Sequence, residues 1–244
     1  AGKHTGAYSR FSFDVTALLQ EGENSLVVRC QDSMSVEIPR GKQRWMRENY
    51  ACWYVQTTGI WKTVWMEEVP EIYIGEVKLT PEIASGELQI EAKIVDEGSD
   101  EREEKPRELL LLSEAFFDGK KIGSVETAIH LGRASQRLSV LREDLFEWGL
   151  HLWTPESPAL YDLKLTLMEQ TSDEKSALDE VLSYFGMREI RIDHGNILLN
   201  NVPLYQRLIL DQGYFEESGL TPPSVEALVL DIDRVKEMGF NGVR

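Results

Sequence analysis

Two short stretches concentrate the residue types that could do chemistry. Residues 40–56, RGKQRWMRENYACWYVQ, interleave aromatic and basic side chains with neither helical nor strand periodicity, which predicts a long loop. The run LILD, residues 208–211, is apolar until its last position, so a carboxylate, Asp211, stands at the end of a segment that reads as a buried parallel strand. Carboxylates accept hydrogen bonds from neighbouring hydroxyls and guanidinium groups donate several, so such groups suit the holding of a polar ligand. The two cysteines, Cys30 and Cys52, cannot by themselves make a disulfide framework or a metal site, and no metal or cofactor is expected. They are expected as free, buried thiols, with a bridge as the alternative and a reducing compartment favoured. Leu26, Val28 and Cys30 would share one face of a strand through NSLVVRC.

The elements that must position these groups are bounded by length and charge. A chain of 244 residues with 42% hydrophobic and 28% charged residues is long enough for one large domain or two of medium size. Its formal charge of −16 argues against nucleic acid or an anionic membrane as partner and makes a neutral ligand the more plausible one. No apolar run approaches the roughly 18 residues of a membrane span, and the first twenty residues lack the pattern of a signal peptide. A cytoplasmic location is expected.

Three regions follow along the chain. Up to about residue 70, YSRFSFDVT, SLVVRC and GIWKTVWMEEV read as short strands. From 71 to about 187 the strands are spaced as in a sandwich. Leu88, Ile90, Ala92 and Ile94 fall on one face, Asp118-Gly119 turns a hairpin, residues 96–108 form a solvated loop, and two prolines precede the strand LYDLKLTLM. Beyond 187 the pattern changes to a hairpin turned at Asp193 to Asn196, the strand LILD, a helix over Ser224 to Met238 and a strand in FNGVR. Ser224 is its expected N-cap and Gly239 its C′ residue. Strand, helix, strand is the opening of a parallel α/β unit, and it cannot bury its own apolar faces. The helix is therefore expected either to dock on the sandwiches or to drive self-association.

Five stretches in order, HTGAYSRFSFDVTALLQEGENSLVVRC, QTTGIWKTVWME, LWTPESPALYDLKLTL, FGMREIRID with ILLNNVPLYQRLILDQGYF, and DIDRVKEMGFNGVR, resemble glycoside hydrolase family 2, the family of β-galactosidases, β-glucuronidases and β-mannosidases. The resemblance implies a mainly β chain: part of a jelly-roll sugar-binding-like domain over 1–70, an immunoglobulin-like β-sandwich over 71–186, and the first βαβ unit of a truncated TIM barrel over 187–244. It implies an amino-terminal part of a β-galactosidase-like glycosidase, a possible homo-oligomer, that acts on β-glycosides by a retaining, two-glutamate mechanism. The catalytic glutamates would lie beyond residue 244, leaving this chain without a catalytic residue and inactive by itself. Glu48 stands before Asn49, the reverse of the family's asparagine-glutamate order, and is read as coincidence. The alternatives are a free-standing carbohydrate-binding sandwich module and a purely structural multi-sandwich protein.

What the resemblance leaves to this chain is the edge of a substrate pocket. Asp211 and Gln212 follow the first barrel strand, where a sugar hydroxyl could be held. Asp211 could instead cap the next turn or pair with Arg244 or Arg207. Arg244 matches an arginine that the family places near the pocket, and Arg207 is either a sugar contact or half of a barrel-interior ion pair. His4, with Lys3 just before TGAYS, is an ordinary loop residue or a ligand contact. Trp45, Tyr50, Trp53 and Tyr54 could stack on a pyranose, although packing is the favoured alternative. Trp148 and Trp153 are expected in the core or at a domain boundary.

Overall fold

The computed structural model describes residues 1–98, 107–141, 149–172 and 174–244. The predicted loop over 96–108 and Trp148 therefore lie partly or wholly outside the described residues. The chain divides into two compact units. One comprises residues 1–64, 210–237 and 244, and the other residues 65–209 and 238–243.

The second unit is built on seven antiparallel strands: β1 (Ile72–Glu82), β2 (Glu87–Asp96), β3 (Glu108–Phe117), β4 (Lys120–Ala128), β5 (Arg133–Ser139), β6 (Tyr161–Gln170) and β7 (Lys175–Phe185). They form a three-stranded sheet in the order β1-β2-β5 and a four-stranded sheet in the order β4-β3-β6-β7. Alternation decides which side each strand buries. On β2 the residues Leu88, Ile90, Ala92 and Ile94 are all buried, as the period of two predicts. They share one core with Leu111 and Ala115 of β3 and with Tyr161, Leu163, Leu165 and Leu167 of β6, so the two sheets enclose it between them. Asp118 and Gly119 turn the β3–β4 hairpin with φ of 48° and 72°, the doubly positive conformation that a two-residue hairpin needs.

Polar bonds fix the register of one sheet on the other. The Ser113 hydroxyl donates to Gln136 Oε1 at 2.5 Å, and Gln136 Nε2 donates to the Leu111 carbonyl at 2.7 Å. Both side chains are buried, so each closes the other's hydrogen-bonding need inside the core. At the far edge the Ile74 amide donates to Asp179 Oδ2 at 2.8 Å and joins β1 to β7.

A small hairpin sheet follows: β8 (Ile190–Asp193), β9 (Asn196–Leu199) and β10 (Val202–Pro203). Its turn falls at His194 and Gly195, where the sequence predicts it. Asn200, at φ 51°, accepts the Glu189 amide at 3.0 Å and donates to the Trp153 carbonyl at 2.9 Å. The Arg188 guanidinium lies 4.8 Å from the Trp153 ring centre. Trp153 is thus clasped between the end of β7 and the hairpin.

Two parallel strands, β11 (Leu208–Ile209) and β12 (Gly242–Val243), pair Leu208 with Gly242 and Ile209 with Val243. Between them in sequence runs α1 (Val225–Glu237), which belongs to the first unit. Its start is capped as expected: the Ala227 amide donates to Ser224 Oγ at 3.2 Å, and Gly239 leaves the helix at φ 84°. None of its residues is buried.

Two expectations for residues 1–70 are corrected. No β-ladder forms over 1–71; the segment holds a 3-10 turn at Thr16–Leu18 and isolated bridges such as Gln43 to Tyr54. Alternating residues make a strand only when a neighbour takes up their backbone donors and acceptors, and none lies alongside among the described residues. For the same reason the face carrying Leu26 and Val28 covers nothing; these side chains are 73% and 52% exposed. Cys30 and Cys52 are free, as expected, but exposed rather than buried. Among the described residues no helix is long and apolar enough to cross a membrane.

Candidate functional site

The loop that leaves β11 carries the first group of candidate residues. Asp211 uses its backbone amide to donate to the Arg244 carbonyl at 3.0 Å, while its Oδ1 accepts the Gly213 amide at 2.7 Å. This is a side-chain-closed turn, and Gly213 completes it at φ 68°. Of the roles expected for Asp211, turn capping is therefore realised; the contact with Arg244 runs through the backbone, and no ion pair joins the two side chains. One carboxylate oxygen remains for other partners, and Asp211 is exposed. Gln212 is half-buried, and its carboxamide makes no hydrogen bond among the described residues.

Three residues further on, Tyr214 brings this loop against the basic and aromatic segment. Its ring lies 5.1 Å from that of Tyr54 at 31°. Burial pushes the Tyr214 phenol above the usual tyrosine range, and the neighbouring Tyr8 and Tyr54 add to the shift. Tyr8 in turn meets the edge of Trp61 at 5.8 Å, and Trp61 Nε1 donates to the Ala7 carbonyl at 2.9 Å. The Thr221 hydroxyl donates to the Trp61 carbonyl at 3.3 Å and ties the far end of the loop to the same group. Four aromatic rings from three sequence-distant segments thus gather around the loop that also carries Asp211 and Gln212. Only Tyr54 among them is singled out by the sequence. Tyr8, Trp61 and Tyr214 sit in irregular backbone, where no periodicity points to a shared face; the placement of Tyr214 two residues after Gln212 is the one available signal.

The remaining candidates have local partners. Trp53 packs edge-on against Trp45, with ring centres 4.9 Å apart, and its amide donates to the Tyr50 carbonyl at 2.9 Å. His4 stacks on Phe11 at 4.4 Å and shares a 3.0 Å hydrogen bond with Ser9 Oγ, which fits the ordinary loop role. Arg207 lies in the second unit, where its Nε donates to the Gly239 carbonyl at 2.8 Å and its amide donates to Asn241 Oδ1 at 2.7 Å. It ties β11 to the short stretch that leads into β12, a role the sequence does not suggest. Arg244 is exposed and contributes its carbonyl oxygen to Asp211. Among the described residues no cluster of histidine, cysteine and carboxylate side chains could hold a metal ion.

Two sheets around one core, followed by a parallel strand pair, are accompanied by a family match: residues 72–188 match the family described as glycosyl hydrolases family 2. The chain carries a glycosyl hydrolases family 2 domain. Similar proteins bear corresponding names. It is 26% identical over 251 residues to a putative β-glucuronidase of Formosa agariphila, covering 100% of this chain and 27% of that protein. It is 28% identical over 244 residues to a β-galactosidase of Pectobacterium atrosepticum, covering 95% of this chain and 21% of that protein. Among solved structures, a family 2 glycosyl hydrolase of Bacteroides cellulosilyticus superposes with a TM-score of 0.55 at 18% identity, over 72% of this chain and 24% of that one. A β-glucuronidase of Ruminococcus gnavus does so with a TM-score of 0.50 at 18% identity, over 72% of this chain and 26% of that one. The chain thus spans about a quarter of the length of the relatives it matches.

Proposed function

We propose that this chain is a sugar-recognising, non-catalytic portion of a β-galactosidase-like glycoside hydrolase. In this reading residues 1–70 belong to a jelly-roll sugar-binding-like domain, 71–186 to an immunoglobulin-like sandwich and 187–244 to the first βαβ unit of a TIM barrel. A retaining mechanism needs two carboxyl groups about 5–5.5 Å apart, one to attack the anomeric carbon and one to protonate the leaving oxygen and later activate water. Both are glutamates located outside residues 1–244. The whole protein can assemble as a homo-oligomer.

The observation that carries the reading is the loop after β11. It presents the free oxygen of Asp211 and the unpaired carboxamide of Gln212 together with Tyr214, whose ring is tilted against Tyr54. A carboxylate and a carboxamide accept from and donate to adjacent hydroxyls, and an aromatic face covers the C–H side of a pyranose. Such pairing of apolar faces with a few directed polar groups is what a small-ligand site requires. The names of the relatives support β-glycosides as the ligand class.

Calorimetric titration with β-galactosides, β-glucuronides and β-mannosides tests this. Saturable binding to at least one of them is expected, weakened about tenfold in Gln212→Ala, the loss of roughly 1.4 kcal/mol for hydrogen bonds to a polar ligand. Flat titrations with all three would overturn the reading.

A further inference from the structure

The whole-chain charge of −16 conceals a local reversal. Between Arg40 and Lys62 stand five cations, Arg40, Lys42, Arg44, Arg47 and Lys62, against one acid, Glu48. Elsewhere in the chain acids outnumber cations about two to one. Among the described residues none of these five cations forms an ion pair, although lysines and arginines of the sandwich do, as in Lys78–Glu91, Lys121–Glu114 and Lys164–Glu180. Their partners are uncharged. Arg44 Nη1 donates to Asn49 Oδ1 at 3.1 Å, Arg40 Nη2 donates to the Met34 carbonyl at 3.1 Å and to the Ser35 carbonyl, and Lys62 Nζ lies 4.8 Å from the Trp61 ring centre. Arg40 Nη1 is buried without any acceptor, the one such side-chain atom among the described residues.

The backbone holds these charges in place. Tyr54 donates its amide to the Lys42 carbonyl at 2.7 Å and accepts the Arg44 amide at 2.8 Å, while Gln43 Oε1 accepts the Thr57 amide at 2.8 Å. In this segment the Lys42 and Arg47 side chains are exposed and Arg44 is half-buried. The aromatic groups are interleaved with them: Arg40 lies 5.7 Å from the Trp45 ring centre, and Trp45 is packed on Trp53. Cations without a carboxylate partner beside half-buried aromatic rings leave a local positive potential that attracts an anion.

We infer that residues 40–62 form a binding surface for an anionic saccharide, one bearing a carboxylate or a sulfate group. Guanidinium forks pair with either group through two parallel N–H···O bonds, and the indole and phenol faces accept the sugar ring. The inference rests on the carbohydrate reading above and replaces the neutral ligand that the overall charge suggests. A nucleic acid would also meet cations and rings here, but the formal charge of −16 of the whole chain opposes a long phosphate backbone.

The test is calorimetry on the chain with four probes: a neutral β-galactoside disaccharide, a hexuronate disaccharide of equal length, a sulfated galactoside disaccharide and a single-stranded oligonucleotide. At least tenfold tighter binding of one or both anionic sugars than of the neutral one is expected, falling as salt is raised. The exposed pair Lys42→Gln and Arg47→Gln should abolish that preference with unchanged thermal unfolding, whereas Lys42→Arg with Arg47→Lys should keep it. The tighter of the two anionic sugars identifies the group recognised. Equal binding of neutral and anionic sugars overturns the inference and leaves the carbohydrate reading standing; no sugar binding at all overturns both. A preference that survives in the Lys42→Gln, Arg47→Gln variant, or an oligonucleotide that outcompetes the sugars, also overturns it.

Discussion

Replacing Gln136 by leucine removes the polar link between the two sheets while nearly preserving volume. In the native core Gln136 accepts from Ser113 at 2.5 Å and donates to the Leu111 carbonyl at 2.7 Å, with Gln136 only 3% exposed and Ser113 fully buried. The variant loses two net hydrogen-bond contributions of about 1 kcal/mol each and leaves the Ser113 hydroxyl without its acceptor, a further 1–3 kcal/mol, so a loss of roughly 3–5 kcal/mol is expected. Adding Ser113→Ala takes away the stranded hydroxyl. The double variant should therefore recover about 1–2 kcal/mol relative to the sum of the single ones. Urea denaturation followed by amide exchange in β3 and β6 reads the sandwich itself rather than the whole chain. Additive single and double effects, or a Gln136→Leu variant within about 0.5 kcal/mol of the native chain, would refute the reasoning.

Two further outcomes follow from the geometry. A Cβ on Gly123 of β4 would stand 2.4 Å from the Ser139 carbonyl oxygen at the end of β5, a backbone atom that cannot swing aside, so Gly123→Ala should destabilise by about 1–3 kcal/mol in the same assay. The Tyr214 phenol is raised above its ordinary value of 10.0, so its packed, neutral form stabilises fully below that pH and the contribution is lost as pH rises through the raised value. Ultraviolet titration should show one tyrosine ionising late, and Tyr214→Phe should remove that phase; a native curve identical to the variant's would contradict the packing of the Tyr54–Tyr214 pair.

Different physical signals explain what the sequence revealed. Alternation of Leu88, Ile90, Ala92 and Ile94 was legible because β2 has one buried face, and the hairpins at Asp118-Gly119 and His194-Gly195 were legible because their turns need positive φ. The cap at Ser224 is equally local. β5 and β7 are harder to read: β5 shows Ala134, Gln136 and Leu138 on its buried face, and the glutamine breaks the apolar pattern for the sake of a bond to β3. The first seventy residues mislead in the other direction. NSLVVRC alternates like a strand, yet a ladder depends on a neighbour that no local pattern encodes. The same limit applies to the candidate site. Asp211 and Gln212 could be chosen from their place after LIL, whereas the approach of Tyr8, Trp61 and Tyr214 arises from three irregular segments meeting in space.

The most direct test of a sugar-recognising chain that does not cleave is turnover of nitrophenyl β-galactoside and β-glucuronide by residues 1–244, measured beside saturable binding of the same compounds. Binding without release of nitrophenol is the expected result. Release above the rate in buffer, proportional to the amount of chain added, would contradict the account by placing the catalytic carboxylates within this sequence.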